Sequence, residues 1–218
     1  MNQNAPVIPI VHVVDDDASF LRAISRLLRS SGFTVKTFDS AAPFLAQLSP
    51  EARGCVIADL RMPGVSGLDL QDALTRSSLT LPVIFLTGQG DIPSSVRAMR
   101  HGAEDFLEKR APKGQLLDAV HRAVDRDARA CAEQARLQAL RLAFDALSPR
   151  ERDVLAQVVR GRLNKQIAAD FNIHERTVKL HRTAITTKLR VHSVAELTRL
   201  AQQAGWFEAG APTFPKGQ

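Results

Sequence analysis

Residues 55–70 read CVIADLRMPGVSGLDL. The first four, Cys55–Ala58, form a near-continuous apolar run, the pattern of a strand covered on both faces, and Asp59 stands at its end. Leu68, Leu70 and Leu74 then recur at helical spacing. Outward from this unit the same alternation repeats. Strands are predicted at Ile10–Val14 and Thr34–Phe38 before it, and at Val83–Leu86 and Asp105–Leu107 after it. Between them Phe20, Leu21, Ile24, Leu27 and Leu28 make one apolar stripe, closed by Gly32 as its C′ residue. Phe44, Leu45 and Leu48 make a second stripe, and Val96 and Met99 a short one before the last strand. Strand-helix repetition of this kind predicts right-handed βαβ units in an open parallel sheet with helices on both faces.

From Lys113 to about Ala146 the pattern is helical throughout. Leu116, Leu117, Val120 and Val124 continue the apolar face of the first domain, and RDARACAEQARLQALRLAF (residues 126–144) is rich in strong helix formers. This predicts a long connecting helix. Gln138 and Asp145 break its heptad seam, which argues against a coiled coil. Ser148, Pro149 and Glu151 then restart the chain as N-cap, first helical residue and capping-box partner. Helical patterns follow at 149–160, 164–171, 175–189 and 193–203. The expected organisation is an α/β domain over 1–125, a helical linker over 126–146, an all-α domain over 147–204 and a disordered tail over 205–218.

Charge divides along the same line. Residues 1–125 carry 13 Lys and Arg against 14 Asp and Glu, and residues 126–218 the remaining 16 against 9, so a net of −1 precedes a net of +7. A basic second half suits a polyanionic partner, although a solvated basic surface gives the same count. Cys55 and Cys131 match no metal or redox spacing. The N-terminal apolar stretch lacks a basic flank and runs into three aspartates, which is not a signal peptide. No apolar run approaches the roughly 18 residues of a membrane span. The expectation is a soluble cytoplasmic protein with no membrane partner.

Five polar residues stand at four predicted strand ends: Asp15 and Asp16, Asp59, Thr87, and Lys109 shortly after the fifth strand. In an open parallel sheet such ends line the ligand crevice. Three carboxylates in one small volume need a cation, and oxygen-only ligands point to Mg²⁺. One carboxylate could then attack a phosphoryl group, with Lys109 and the Thr87 hydroxyl holding the phosphoryl oxygens. The bland alternative for each Asp is a cap or turn residue, and Asp17 is read as the cap of the first helix.

The order VVDDD, DLRMPGVSGL, FLTG, GAEDFLEK resembles the CheY-like receiver family over residues 8–125, with the DLRMPxxSG and TGxGDIP stretches most similar to FixJ-type receivers. The resemblance implies a five-stranded, flavodoxin-like parallel sheet with Asp59 as phosphoacceptor. It places Mg²⁺ on Asp15, Asp16, Asp59 and the main-chain carbonyl of Arg61. Lys109 would pair with the phosphate, Thr87 would be the switch hydroxyl and Phe106 the rotating aromatic. The family usually has Pro directly after the Lys, commonly through a cis bond. Here Arg110 follows and Pro is delayed to Pro112, so a trans bond is expected, and Lys109 could be displaced by it.

In the second domain Val178, Ile185 and Leu189 fall on one stripe of a helix whose opposite face carries Arg176, Lys179, Arg182, Thr183 and Thr186. Such a helix can enter a DNA major groove, and equally it fits an ordinary helical bundle with exposed basic residues. The stretch LSPRERDVLAQVVRGRLNKQIAADFNIHERTVKLHRTAITTKLRVHSVAEL resembles the NarL/FixJ (LuxR-type) helix-turn-helix. The resemblance implies that Lys179, Leu180 and Thr183 read bases and that Asn164, Lys165 and Arg182 hold phosphates. His174 departs from a common Ser N-cap, and Arg190 from a common Gly.

Together these readings imply a two-component response regulator, phosphorylated on Asp59 by a partner histidine kinase, that binds double-stranded DNA and dimerises when phosphorylated. It would be no enzyme beyond its own phosphoryl transfer and hydrolysis. One alternative is a constitutive DNA-binding protein whose switch is lost, which only Arg110 favours. Another is an Asp-nucleophile phosphatase, for which no third domain or substrate pocket is visible.

Overall fold

The apolar runs at 10–14, 55–58 and 83–86 form strands covered on both sides, whereas the strand at 34–38 is largely exposed. The computed structural model describes residues 8–77, 79, 81–88 and 92–206. Strands β1 (Ile10–Val14), β2 (Thr34–Phe38), β3 (Gly54–Asp59), β4 (Val83–Thr87) and β5 (Asp105–Glu108) make one parallel sheet in the order β2-β1-β3-β4-β5. They alternate with helices α1 (Ala18–Ser30), α2 (Ala41–Gln47), α3 (Gly67–Arg76), α4 (Ile92–Arg100) and α5 (Lys113–Asp145). Alternation along each strand divides the core. Val11, Val13, Ile57, Ile84 and Leu86 meet Ile24 and Leu28 of α1 and Leu116 and Val120 of α5. Val14, Val56, Ala58 and Phe85 meet Phe44 of α2, Leu70 and Leu74 of α3 and Ala98 of α4.

Three strands run further than their apolar stretches: β3 includes Asp59, β4 includes Thr87 and β5 includes Glu108, so Asp59 and Thr87 are terminal ladder residues. The strand order reverses between β1 and β3, whose register pairs Val14 with Ala58, so Asp15 and Asp59 stand side by side at this switch point. The fourth helical stripe differs from expectation. Ala98 faces the core at 0% exposure, whereas Val96 and Met99 are 43% and 49% exposed. Their spacing marks a helix, but the stripe faces outward.

Contacts divide the chain into two units, Met1–Cys131 and Ala132–Gln218. α5 is one continuous helix of 33 residues that ends the first unit and opens the second. In the second unit, Phe144 and Leu147 seat on the core of α6 (Pro149–Val159), α7 (Asn164–Asp170), α8 (Glu175–Leu189) and α9 (Val194–Gln203). Ser148 caps α6 as expected: Glu151 N–H donates to its hydroxyl at 3.2 Å, and its own N–H donates to the Glu151 carboxylate at 2.7 Å. Trp206 lies in the stretch read as a disordered tail, yet its ring packs 6.2 Å from that of Phe144. Residues 207–218 of that stretch, and Gln89, Gly90 and Asp91 of the TGxGDIP loop, lie outside the described residues. Among the described residues no helix is long and apolar enough to cross a membrane.

Candidate functional site

At the carboxyl end of the sheet, Asp15 follows β1 directly and is buried, Asp59 ends β3 and is buried, and Asp16 is exposed. Each of the three offers a carboxylate oxygen within 4.8 Å of the others. Lys109, one residue past β5, closes the site. Its Nζ lies 2.6 Å from Asp15 Oδ2 and 3.4 Å from Asp59 Oδ2. Among the described residues no peptide bond is cis, so Lys109–Arg110 is trans as expected. Lys109 is not displaced by it, because its N–H donates to the Thr87 carbonyl at 2.8 Å and fixes the backbone beside β4.

The electrostatics follow from crowding. Burial pushes the Asp59 carboxyl up; the Lys109 ammonium pulls it back, and the Asp15 and Asp16 charges add to the rise. For Lys109 burial pulls down, but the hydrogen bond and charge of Asp15, then of Asp59, outweigh it and leave the ammonium raised. The cluster is therefore short of positive charge: one ammonium faces three carboxylates. Thr87 ends the adjacent strand and is buried. Phe106, on β5, is half-buried with its ring 6.4 Å from that of Phe85, its register partner on β4. Arg61 lies two residues past Asp59, on the loop leading to α3.

Two residues at this site escaped the sequence reading. Phe20 belongs to the apolar stripe of α1, yet its ring lies under the Lys109 ammonium, 4.7 Å from Nζ to centroid. Gly67, the first residue of α3, packs so close to β3 that a Cβ there would collide with the Asp59 carbonyl. Its N–H donates to the Leu60 carbonyl at 3.1 Å, which draws α3 onto the end of β3. Only the loop tether DLRMPxxSG hinted at this. Asp17 caps α1 as read, accepting from the N–H groups of Ser19 and Phe20 at 2.8 and 3.1 Å.

In the second unit, α7 and α8 are joined by the short turn Phe171–His174. Val178, Ile185 and Leu189 are buried as predicted, which turns Lys179, Leu180 and Thr183 outward; Leu180 is 63% exposed. Lys179 pairs with Glu175 one turn earlier at 3.3 Å. Lys165 is exposed on α7. Asn164 and Arg182 are half-buried and meet each other: Arg182 Nη1 donates to Asn164 Oδ1 at 2.7 Å across the two helices. Lys188 Nζ reaches the Glu151 carboxylate at 2.7 Å and braces α8 against α6. His174 occupies the N-cap of α8 without a side-chain cap bond, and Arg190 closes α8 in the left-handed region at φ 53°.

A doubly wound sheet with an acidic, Lys-closed crevice, followed by a helix-turn-helix, defines a signalling receiver coupled to a DNA-binding domain. Residues 11–121 match the response regulator receiver domain, and residues 145–201 match the luxR family of bacterial regulatory proteins. The chain belongs to the response regulators that join these two domains. Nodulation protein W of Bradyrhizobium diazoefficiens is 43% identical over 196 residues, 90% of this chain and 86% of that protein. Response regulator protein TodT of Pseudomonas putida is 40% identical over 194 residues, 89% of this chain and 86% of that protein. Among solved structures, the response regulator StyR is 44% identical with a TM-score of 0.82, covering 90% of this chain and 100% of that one. Full-length FixJ from B. japonicum is 37% identical with a TM-score of 0.55, covering 91% and 98%.

Proposed function

We propose that a partner histidine kinase phosphorylates Asp59 and that this controls sequence-specific DNA binding by α8. The observation that carries the reading is the meeting of three carboxylates within 4.8 Å of one another with the Lys109 ammonium on two of them. The charge deficit of this cluster, all oxygen donors, fits a hard divalent cation. Asp15, Asp16, Asp59 and the Arg61 carbonyl would hold Mg²⁺. The bound ion supplies the charge neutralisation that lets an anionic carboxylate meet an anionic phosphoryl group. An Asp59 oxygen forms the new bond to phosphorus while the bond to the kinase histidine nitrogen breaks, its electron pair leaving with the imidazole. Lys109 and the Thr87 hydroxyl hold the phosphoryl oxygens, and water later hydrolyses the acyl phosphate.

Phosphate on Asp59 draws Thr87, shifts Phe106 and repacks the outward face around Val96 and Met99. Two phosphorylated copies would pair and bind twofold-symmetric double-stranded DNA in the cytoplasm. On the DNA, Lys179, Leu180 and Thr183 read base edges from the major groove, and Asn164, Lys165 and Arg182 hold phosphates. The test is incubation with acetyl phosphate and Mg²⁺ followed by intact mass. Wild type gains about 80 Da, one phosphoryl group, and Asp59→Asn gains nothing. A gain in Asp59→Asn, or none in wild type, would overturn the assignment.

A further inference from the structure

The receiver match ends at residue 121, but the first unit runs on to Cys131. Residues 122–131 of α5 therefore pack on the receiver beyond the matched family. Among them is Asp127, only 5% exposed, a buried carboxylate far along the chain from the acidic crevice. Its Oδ2 accepts the N–H of Gly54, the first residue of β3, at 2.8 Å. One helical turn on, Cys131 Sγ accepts from Arg53 Nε at 3.0 Å, while Arg53 Nη1 donates to the Ala52 carbonyl at 3.0 Å. Asp127 and Cys131, at i and i+4, share one face of α5, so both contacts form at a single rotation of the helix.

The strand side is equally fixed. Gly54 sits at φ +118°, and a Cβ there would collide with the Ile10 backbone, so the chain enters β3 pressed against β1. The Ile10 N–H donates to the Arg53 carbonyl at 2.9 Å and sets the direction in which the Gly54 N–H points. Burial pushes the Asp127 carboxyl up, and the Gly54 N–H and then the Arg53 charge pull it back. An apolar residue would bury more cheaply at this position; a carboxylate adds a directional bond. Two further pairs, Arg122 with Asp105 at 2.6 Å and Arg126 with Glu104 at 2.9 Å, are more exposed and weaker restraints.

We propose that Asp127, supported by Arg53 and Cys131, is the positioning residue that clamps α5 to the amino end of β3. The clamp makes the helix through residue 131 one piece with the receiver, and a phosphorylation signal reaches the DNA-binding half through it. Strand β3 then carries the phosphoacceptor at one end and the clamp at the other. The coupling role rests on the function proposed above; the clamp itself does not.

The test uses the full chain as wild type, Asp127→Ala, Asp127→Asn and Arg53→Ala. Hydrogen exchange at Gly54 and at residues 122–131 should be about tenfold faster in Asp127→Ala, the loss of one charge-assisted bond. Asp127→Asn, which keeps an acceptor oxygen, should stay near wild type. Phosphorylation by acetyl phosphate should be unchanged in both. The gain in affinity for selected genomic DNA on phosphorylation should shrink by about fivefold or more in Asp127→Ala and return in Asp127→Asn. Unchanged exchange in Asp127→Ala overturns the clamp. Faster exchange with an undiminished DNA response overturns its coupling role. If Asp127→Ala does not fold, Arg53→Ala must show the same direction, and wild-type behaviour there overturns the proposal. Wild type that takes no phosphate counts against the proposed function, while exchange alone still decides the clamp.

Discussion

Lys109 holds the acidic crevice together by touching two of its carboxylates while resting on the Phe20 ring. Five of the residues gathered here were readable in the sequence because each directly follows, or nearly follows, an apolar run. A polar residue placed there has only the strand's carboxyl end to occupy. Phe20 was not readable as part of the site, since a Phe in an amphipathic stripe looks like core. Nor was Gly67, whose need for hydrogen at Cα arises only once the loop after β3 folds α3 back onto the Asp59 carbonyl. His12 belongs to the same sheet and has a different consequence. It is buried between Phe38 and Phe44, with ring centroids at 6.3 and 5.5 Å. Burial holds it below its ordinary value of 6.5; Lys36 adds to this, and the backbone of Cys55 and Ile10 opposes it. The unfolded chain therefore takes up a proton near 6.5 that the folded chain refuses. Stability is full above this window and falls as the pH drops below it. His12→Leu should remove this segment of the acid-stability curve, measured by denaturant unfolding between pH 7 and about 5. An unchanged slope would exclude His12 as its source.

At the scale of elements, periodicity and capping residues located the helices among the described residues, but spacing did not tell which way α4 faces. Val96 and Met99 fit helical spacing, but the residue that joins the buried core is Ala98. Spacing reports a stripe, not its partner. The second domain was more legible, since Ser148 and Glu151 form a capping box around Pro149, the first residue of α6, and the structure contains it in full. Its weak point is the end of α8. Arg190 holds φ 53° and ψ 46°, a conformation that costs a residue with a Cβ on the order of 1 kcal/mol. Arg190→Gly should therefore raise the stability of the second domain by about 0.5–1 kcal/mol in denaturant unfolding. A loss of stability would mean that the arginine side chain makes a compensating contact.

At the scale of the whole molecule, two physically different surfaces matter. The receiver presents an outward apolar pair, Val96 and Met99, and the second domain a basic helix with one exposed leucine, Leu180. If the first is the phosphorylation-dependent pairing face, Met99→Asp leaves the unphosphorylated monomer as stable as wild type, within about 0.5 kcal/mol for an exposed site. Sedimentation should then show wild type dimerising after acetyl phosphate treatment and Met99→Asp remaining monomeric. Dimers in both would place the face elsewhere. The pairing face could not be read from the sequence, because one exposed helix turn has the same spacing whether or not a second copy covers it.

Control of DNA binding by the receiver is measured most directly as the affinity of the full chain for genomic fragments selected by binding, with and without phosphorylation, at one fixed salt concentration. Phosphorylated wild type should bind at least about tenfold more tightly than unphosphorylated wild type, a coupling of roughly 1.4 kcal/mol, and Asp59→Asn should show no such difference. Equal affinities for the two forms of the wild type would contradict that control and leave a DNA-binding protein whose receiver does not control it.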